Sequence, residues 1–442
     1  MKKVLVYSLA GMFALVLFFL LQGNRLLIFE NRADAVQTVK NSNPAVLKFN
    51  QAGLRYFESK QFELARDQFK AALELSPGDS TLMSNLAYTW FAIGRLELDK
   101  MRFNEALAAF GKAIQTSPGI SSFHTGAGLA YDKMEEEESA LRELEEAVRL
   151  NPKESEAYRV MGEIYYKTDR PDKALEALEK ALSLQPDDKT LKERIAKINQ
   201  DKNTESAFGK SSSHHFIVRF EGEENKEVAQ KVSDILEEAY HNIGSVFYAK
   251  SLHPIPVILY SDQSFRETVH GPAWAGGLYD GKIRIPVQGL TTDLDRLKRV
   301  LFHEYTHAVI FQLTPSPIPT WLNEGLAIHF EGNPPEDSMP SKVVLAQQKG
   351  GLIPLRQLHG SFMEMNAATS ELAYEESRLA VESLINRYSV KRIRDLLEQY
   401  RGPESFSPVF EEVFLISYED FEKAFLSDPI RPVDRSIQKP EQ

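Results

Sequence analysis

Apolar residues recur at helical spacing from residue 44 to about residue 200, and the run is broken at Pro77, Pro118, Pro152 and Pro186. After residue 213 the period changes. Residues 215–220, HFIVRF, alternate like a strand; 255–260 and 281–286 read as further strands, with a helix over 226–247 between the first two. Residues 297–313, LKRVLFHEYTHAVIFQL, return to a helical period. The stretch from Pro315 to Pro319 breaks that helix, and Thr320 stands where it would cap a second one. Helices are expected again over 371–386 and 390–400. Between the two regimes lie residues 201–213, DKNTESAFGKSSS, polar and Ser-rich, which read as an interdomain linker. Residues 431–442 read as a disordered tail.

The last two proline intervals are 34 residues each, and the landmarks inside them agree. One unit has Gly128, Tyr131, Ala140, Leu144 and Ala147; the next has Gly162, Tyr165, Ala174, Leu178 and Ala181; an earlier one has Gly53, Tyr56, Ala65, Phe69 and Ala72. Over residues 44–186 this resembles the tetratricopeptide repeat (TPR), a helix–turn–helix unit of that period. The resemblance implies an α-helical TPR solenoid over 44–200, closed by a polar-faced capping helix around 191–198. The second unit, marked by Ala87, Trp90, Ala106, Phe110 and Ala113, carries seven extra residues, which its landmarks assign to the stretch between Trp90 and Ala106. Seven residues is close to two helical turns, so a lengthened helix pair is expected.

The N-terminus adds a membrane to the picture. Lys2 and Lys3 precede residues 4–21, which hold no charge, and no small-residue cleavage site follows in Leu21-Gln22-Gly23-Asn24-Arg25. Residues 1–24 therefore read as an N-terminal transmembrane helix, a signal anchor with its lysines in the cytoplasm. A cleaved signal peptide is the alternative. Either way the remaining domains are expected outside the cytoplasm, at a bacterial-type inner membrane. Net charge is −11 and no basic stripe occurs, which argues against nucleic acid as a partner. The chain has no cysteine, excluding disulfides, thiolate-bound zinc and thiol catalysis.

The chemistry lies in the 297–313 helix. His303-Glu304-Tyr305-Thr306-His307 reads H-E-x-x-H. Residues four apart share a helix face, so two imidazoles can hold one Zn²⁺ with Glu304 beside it. Zinc lowers the pKa of a bound water, and a carboxylate can take its proton. The bland alternative is an amphipathic helix that happens to carry two histidines. The next expected helix holds Trp321-Leu322-Asn323-Glu324-Gly325-Leu326-Ala327 and can fold back to aim Glu324 at the metal. A His₂Glu set with one open position suits catalytic zinc.

Together these segments resemble the gluzincin metallopeptidases, and more narrowly the peptidase MA-like proteins joined to TPR repeats. The resemblance spans about residues 216–425. It implies an α+β zincin-like (gluzincin) metallopeptidase domain over 214–430, one Zn²⁺ per chain held by His303, His307 and Glu324, and Glu304 as catalytic base. One departure is that sixteen residues separate His307 from Glu324, slightly fewer than in the best-known gluzincins. Glu331, two turns beyond Glu324 on the same face, and His329 are rival ligands, and a solvated helix residue is the plain reading of Glu324. The resemblance also gives Tyr374 a catalytic role, its hydroxyl donating to the oxyanion formed on the scissile carbonyl; a core or surface tyrosine is the alternative. Gly276-Gly277-Leu278-Tyr279-Asp280-Gly281 is either the edge that pairs with a substrate backbone or an ordinary hairpin turn. It lacks the glutamate that binds a free amine in aminopeptidases, which favours an endopeptidase. The partners expected are a protein or peptide substrate, a protein held in the TPR groove, and the membrane. The rival from another class is a TPR scaffold whose peptidase-like domain binds without cutting.

Overall fold

The computed structural model describes residues 36–40, 43–248, 253–269, 277–287, 293–314, 316–332, 341–362 and 365–427. The expected anchor over 1–24 and tail over 431–442 lie outside the described residues. Among those described, no helix is long and apolar enough to cross a membrane. The chain divides into two units, with the boundary between Asn203 and Thr204.

The first unit is a helical repeat. Its helices pair as α1 (Pro44–Glu58) with α2 (Phe62–Leu75), α3 (Ser80–Asp99) with α4 (Phe103–Thr116), α5 (Ser121–Lys133) with α6 (Glu137–Leu150), and α7 (Ser155–Lys167) with α8 (Pro171–Leu184). A last helix, α9 (Lys189–Glu205), follows. Each pair closes where a glycine on the first helix meets a bulky side chain on the second. A methyl on Gly53 would stand 2.6 Å from the Phe69 ring, and one on Gly128 or Gly162 would stand 2.7 or 2.5 Å from Leu144 or Leu178.

The second repeat departs from expectation in two ways. Its second helix has 14 residues, like its counterparts, and only the first is long, at 20 residues against 13 in α5 and α7. The glycine that meets Phe110, at 2.7 Å, is Gly94 rather than the aligned Ala87. The surplus turns therefore precede Gly94, at the start of α3. Packing keeps the same glycine-to-bulky spacing and extends the helix at its N-terminal end, which leaves the Gly94–Phe110 contact undisturbed.

The second unit begins with a mixed sheet in the order β1-β2-β3-β5-β4: β1 (Gly209–Ser212), β2 (Phe216–Phe220), β3 (Ile255–Tyr260), β5 (Ile283–Pro286) and β4 (Leu278–Tyr279). β2, β3 and β5 run parallel; β1 and β4 are antiparallel edges. The boundary between the units falls within the expected linker over 201–213, but the stretch is not without structure. Its first five residues finish α9 and Gly209–Ser212 is a strand, in register with Ile217–Phe220. A polar composition suits an edge strand that faces solvent on one side, which gives the segment the look of a linker.

Alternation divides the sheet's faces. Val257, Leu259, Ile283 and Ile285 join the main core with α10 (Lys226–Ala239) and α12 (Leu294–Leu313); Ile258 and Tyr260 face the other way, onto Phe265 of α11 (Asp262–Val269). The expected 226–247 helix runs through α10 into a π turn at Tyr240–Gly244 and a last turn at Ser245–Phe247. Beyond α12 come α13 (Thr320–Phe330), α14 (Ser341–Gln348), α15 (Ala367–Gln399), α16 (Phe406–Phe414) and α17 (Tyr418–Ser427). α15 is two helices that meet at a non-helical Ser389, φ 72°, so the division expected between 371–386 and 390–400 holds. Thr320 does not cap α13; Pro319 holds the cap position, and the Thr320 hydroxyl donates to the His359 carbonyl at 3.0 Å.

Candidate metal centre

Helices α12 and α13 pack side by side. α12 brings His303 and His307 onto one face, their ring centroids 4.8 Å apart and nearly perpendicular. α13 returns Glu324 to them: its Oε2 lies 3.5 Å from His303 Nε2 and 3.8 Å from His307 Nε2. One donor atom from each residue falls within 4.8 Å of the others, so the three could hold a metal ion.

Two further contacts bear on whether they suit one. A histidine that binds metal through Nε2 must offer its lone pair there, which requires the proton on Nδ1. His303 Nδ1 meets Glu331 Oε2 at 3.0 Å, and His307 Nδ1 meets Asn323 Oδ1 at 3.2 Å. Both partners accept, so both Nδ1 atoms donate and both Nε2 atoms are left facing Glu324. Glu331 is thus a partner to His303's outer nitrogen, not the rival ligand that its helical spacing allowed. His329 does not join the cluster. The sequence alone points to no source for these orienting groups. Asn323 stands out there only as part of the Asn-Glu-Gly motif, and Glu331 caps the last turn of α13, where it reaches back to α12.

Three carboxylates surround the two imidazoles, and the titrations of His303, His307, Glu304 and Glu324 are displaced. Burial works against charge on His303, but Glu324 and Glu331 outweigh it and raise the group to about 10. Burial lowers His307, with Glu324 opposing. Burial opposes ionisation of Glu324 too, but the two histidines hold it below the usual carboxylate range. Burial pushes Glu304 up to about 7; His303 opposes this, while Glu324 and Glu331 add to it. An imidazole pair among excess carboxylates is an environment a divalent cation relieves.

Glu304 itself is buried, and Gly277 lies against it: a Cβ there would be 2.7 Å from Oε1. Gly277 immediately precedes edge strand β4, so the segment left open as substrate edge or hairpin turn touches the Glu304 carboxylate at Gly277. Tyr374 sits half-buried on α15 with its ring 5.2 Å from Phe362. Burial raises its hydroxyl well above the usual tyrosine range, and the charges of Glu324 and Glu304 push the same way.

The scaffold fixes these groups from behind. A methyl on Gly325 would stand 2.3 Å from the Ser377 carbonyl, so the residue after Glu324 lets α13 lie on the backbone of α15. Trp321, fully buried one turn earlier, stacks on Tyr418 at 6.2 Å and meets Phe406 at 6.3 Å. Such aromatic contacts are worth about 0.5–1.5 kcal/mol each beyond their buried area. Together they hold α13, and hence Glu324, from α16 and α17.

Residues 239–426 match the Peptidase MA superfamily. Residues 50–99, 122–154 and 155–188 match tetratricopeptide-repeat families. The chain carries a Peptidase MA superfamily domain behind tetratricopeptide repeats. No curated protein matches it. Among solved structures it is similar to MamA, at 24% identity over 34% of this chain and 84% of that one, with a TM-score of 0.28. It is also similar to the first TPR of Spaghetti bound to an HSP90 peptide, at 21% identity over 26% and 93%, TM-score 0.26. A third is a thermophilic TPR protein of Thermus thermophilus, at 20% identity over 35% and 98%, TM-score 0.24.

Proposed function

We propose that this protein is a zinc-dependent peptidase, acting as an endopeptidase outside the cytoplasm and anchored to a bacterial-type inner membrane by its N-terminal segment. The observation that carries the hydrolytic reading is the convergence of His303, His307 and Glu324 with both outer histidine nitrogens engaged. That donor set fits Zn²⁺: two imidazole nitrogens and one carboxylate oxygen, oriented by Asn323 and Glu331. His303 and His307 would hold the ion through Nε2 and Glu324 through its carboxylate. Zinc supplies Lewis acidity, making water more acidic and polarising a peptide carbonyl.

The chain's own residues do the rest. Glu304 takes a proton from the attacking water and returns it to the departing amine. The backbone around Gly277 and β4 aligns an extended substrate over that carboxylate, an arrangement that glycine permits by close approach. The Tyr374 hydroxyl donates to the oxyanion. The TPR unit recruits a protein substrate or partner. Support for the membrane and for the compartment comes from Lys2, Lys3 and the uncharged stretch over 4–21.

Purified protein assayed for zinc and for casein digestion tests the reading. One zinc per chain is expected, with cleavage lost by orders of magnitude in Glu304→Gln while the metal stays. Zinc without cleavage in the parent would favour the scaffold reading; neither zinc nor cleavage overturns both the site and the activity.

A further inference from the structure

The first repeats contain a polar group that helical packing does not explain. Asn50 on α1 and Asn85 on α3 are both fully buried. A buried amide without partners costs on the order of 1–3 kcal/mol, so such groups are normally satisfied. Here the two amides bond to one another, Asn85 Nδ2 to Asn50 Oδ1 at 2.9 Å, and otherwise to the backbone of a single residue, Gln37. The Gln37 amide donates to Asn85 Oδ1 at 2.7 Å. The Gln37 carbonyl accepts from Asn85 Nδ2 at 2.7 Å and from Asn50 Nδ2 at 3.3 Å.

The contact reads backbone, not side chain. The side chain of Gln37 is exposed, as is that of Thr38, and the arm they belong to, residues 36–40, carries neither helix nor strand. Only the flanking valines are buried: Val36 is 8% exposed and Val39 3%. Val39 packs with Val46, Ala72 and Leu82, residues of the first three helices. Two small branched side chains three apart, with the backbone N–H and C=O of one residue clamped between them, are what this surface selects. Nothing in that recognition depends on the arm being covalently joined to the repeats. Lift it away, and three hydrogen bonds to the buried asparagines are lost, together with the apolar cover at Val46 and Leu82.

We propose that Asn50 and Asn85 form a peptide-backbone receptor in the first two repeats, that the chain's own 36–40 arm is its resident ligand, and that a protein segment with valine-like residues three apart binds there by displacing the arm. The proposal does not rest on the hydrolytic reading: it concerns the repeat unit alone and is read by binding.

The probe is a fluorescently labelled peptide of residues 33–40, Ala-Asp-Ala-Val-Gln-Thr-Val-Lys, titrated with full-length chain by anisotropy, its integrity checked by mass. Gln37→Pro in the chain removes the donor to Asn85, and Val39→Lys, as a second variant, removes the buried anchor. Each is expected to free the site and bind the peptide at least tenfold more tightly than the parent does. Adding Asn85→Asp to either variant is expected to weaken the peptide at least tenfold, since the carboxylate cannot donate to the peptide carbonyl. A peptide with its second valine changed to lysine is expected not to bind. Circular dichroism at the parent's helicity qualifies each variant, and Val39→Lys serves where Gln37→Pro fails to fold. Equal binding to parent and arm variants, no binding to either arm variant, or binding indifferent to Asn85 overturns the proposal.

Discussion

Gly277 leaves no room for a side chain over Glu304: a Cβ at that position would fall 2.7 Å from the carboxylate Oε1 and 2.8 Å from Cγ. Glu304 is buried and cannot swing into solvent to make space. Gly277→Ala is therefore expected to displace the carboxylate while leaving the histidines and Glu324 in place. A displacement of this size costs about 100-fold in kcat. Zinc content, measured alongside, should remain at the parent's level. A variant with unchanged kcat would show that this strand does not border the reacting groups.

The metal set and its supports predict a graded series. His303→Ala removes a donor and should abolish most zinc binding. Glu331→Gln keeps the side chain's length but replaces the carboxylate on His303 Nδ1 with a weaker acceptor, and a loss of about 10–100-fold in zinc affinity is expected. Competition with a chromogenic chelator measures both. Affinity untouched by Glu331→Gln would mean that the 3.0 Å contact does not orient the ring.

Much of this is legible in the chain because it is encoded locally. H-E-x-x-H declares its geometry through the four-residue spacing on one helix, and the 34-residue proline interval declares the repeat. What the chain hides depends on residues far apart meeting. Asn323 and Glu331 become partners of the histidines only after α13 has folded back on α12, and Gly277 acquires meaning only when it meets Glu304. The landmarks of the second repeat put its extra turns after Trp90, because Ala87 aligns with the small residues of its neighbours. Packing against Phe110 chooses Gly94 instead, a tertiary contact that alignment of landmarks cannot weigh.

Glu376 predicts a pH dependence of stability. It is fully buried on α15, where both carboxyl oxygens accept from the Ile353 amide at 3.1 and 3.0 Å. Burial raises the group from its ordinary 4.5 to about 7, the amide opposing. A carboxyl raised in the folded state favours folding while protonated. Its contribution is complete below the unfolded value and is lost as pH rises through about 7. Glu376→Gln is neutral throughout. Between about pH 4 and 8.5, its stability relative to the parent should shift by about 3 kcal/mol in the variant's favour. Denaturant titrations at both pH values measure this; a difference that does not move with pH contradicts the assignment.

The last prediction follows from the segment with a linker's composition. A peptidase fragment cut at His214 looks natural from sequence, because all the proposed reacting groups lie beyond it. The fold says otherwise. Glu205 is buried and accepts from Tyr260 Oη at 2.7 Å, Arg284 Nη1 at 3.2 Å and Lys282 Nζ at 3.4 Å. Arg284 and Lys282 are themselves almost wholly buried, and Asp280 also holds Arg284, accepting from its Nε at 3.0 Å. Cutting at His214 takes the Glu205 carboxylate away from two buried cations and strips β1 from β2, exposing a strand edge. Removing one partner from a buried ion pair costs about 3–5 kcal/mol. The damage falls on Asp280–Arg284, directly beside the strand that Gly277 precedes. A fragment over residues 204–442 should therefore fold and bind zinc, while one over 214–442 should unfold at lower denaturant or fail to fold. Glu205→Gln in the full chain should show part of the same loss, because it retains the side chain but not the charge. If the two fragments unfold at the same midpoint and bind zinc alike, the buried charges are not what secures the β4–β5 hairpin, and residues 201–213 are dispensable after all.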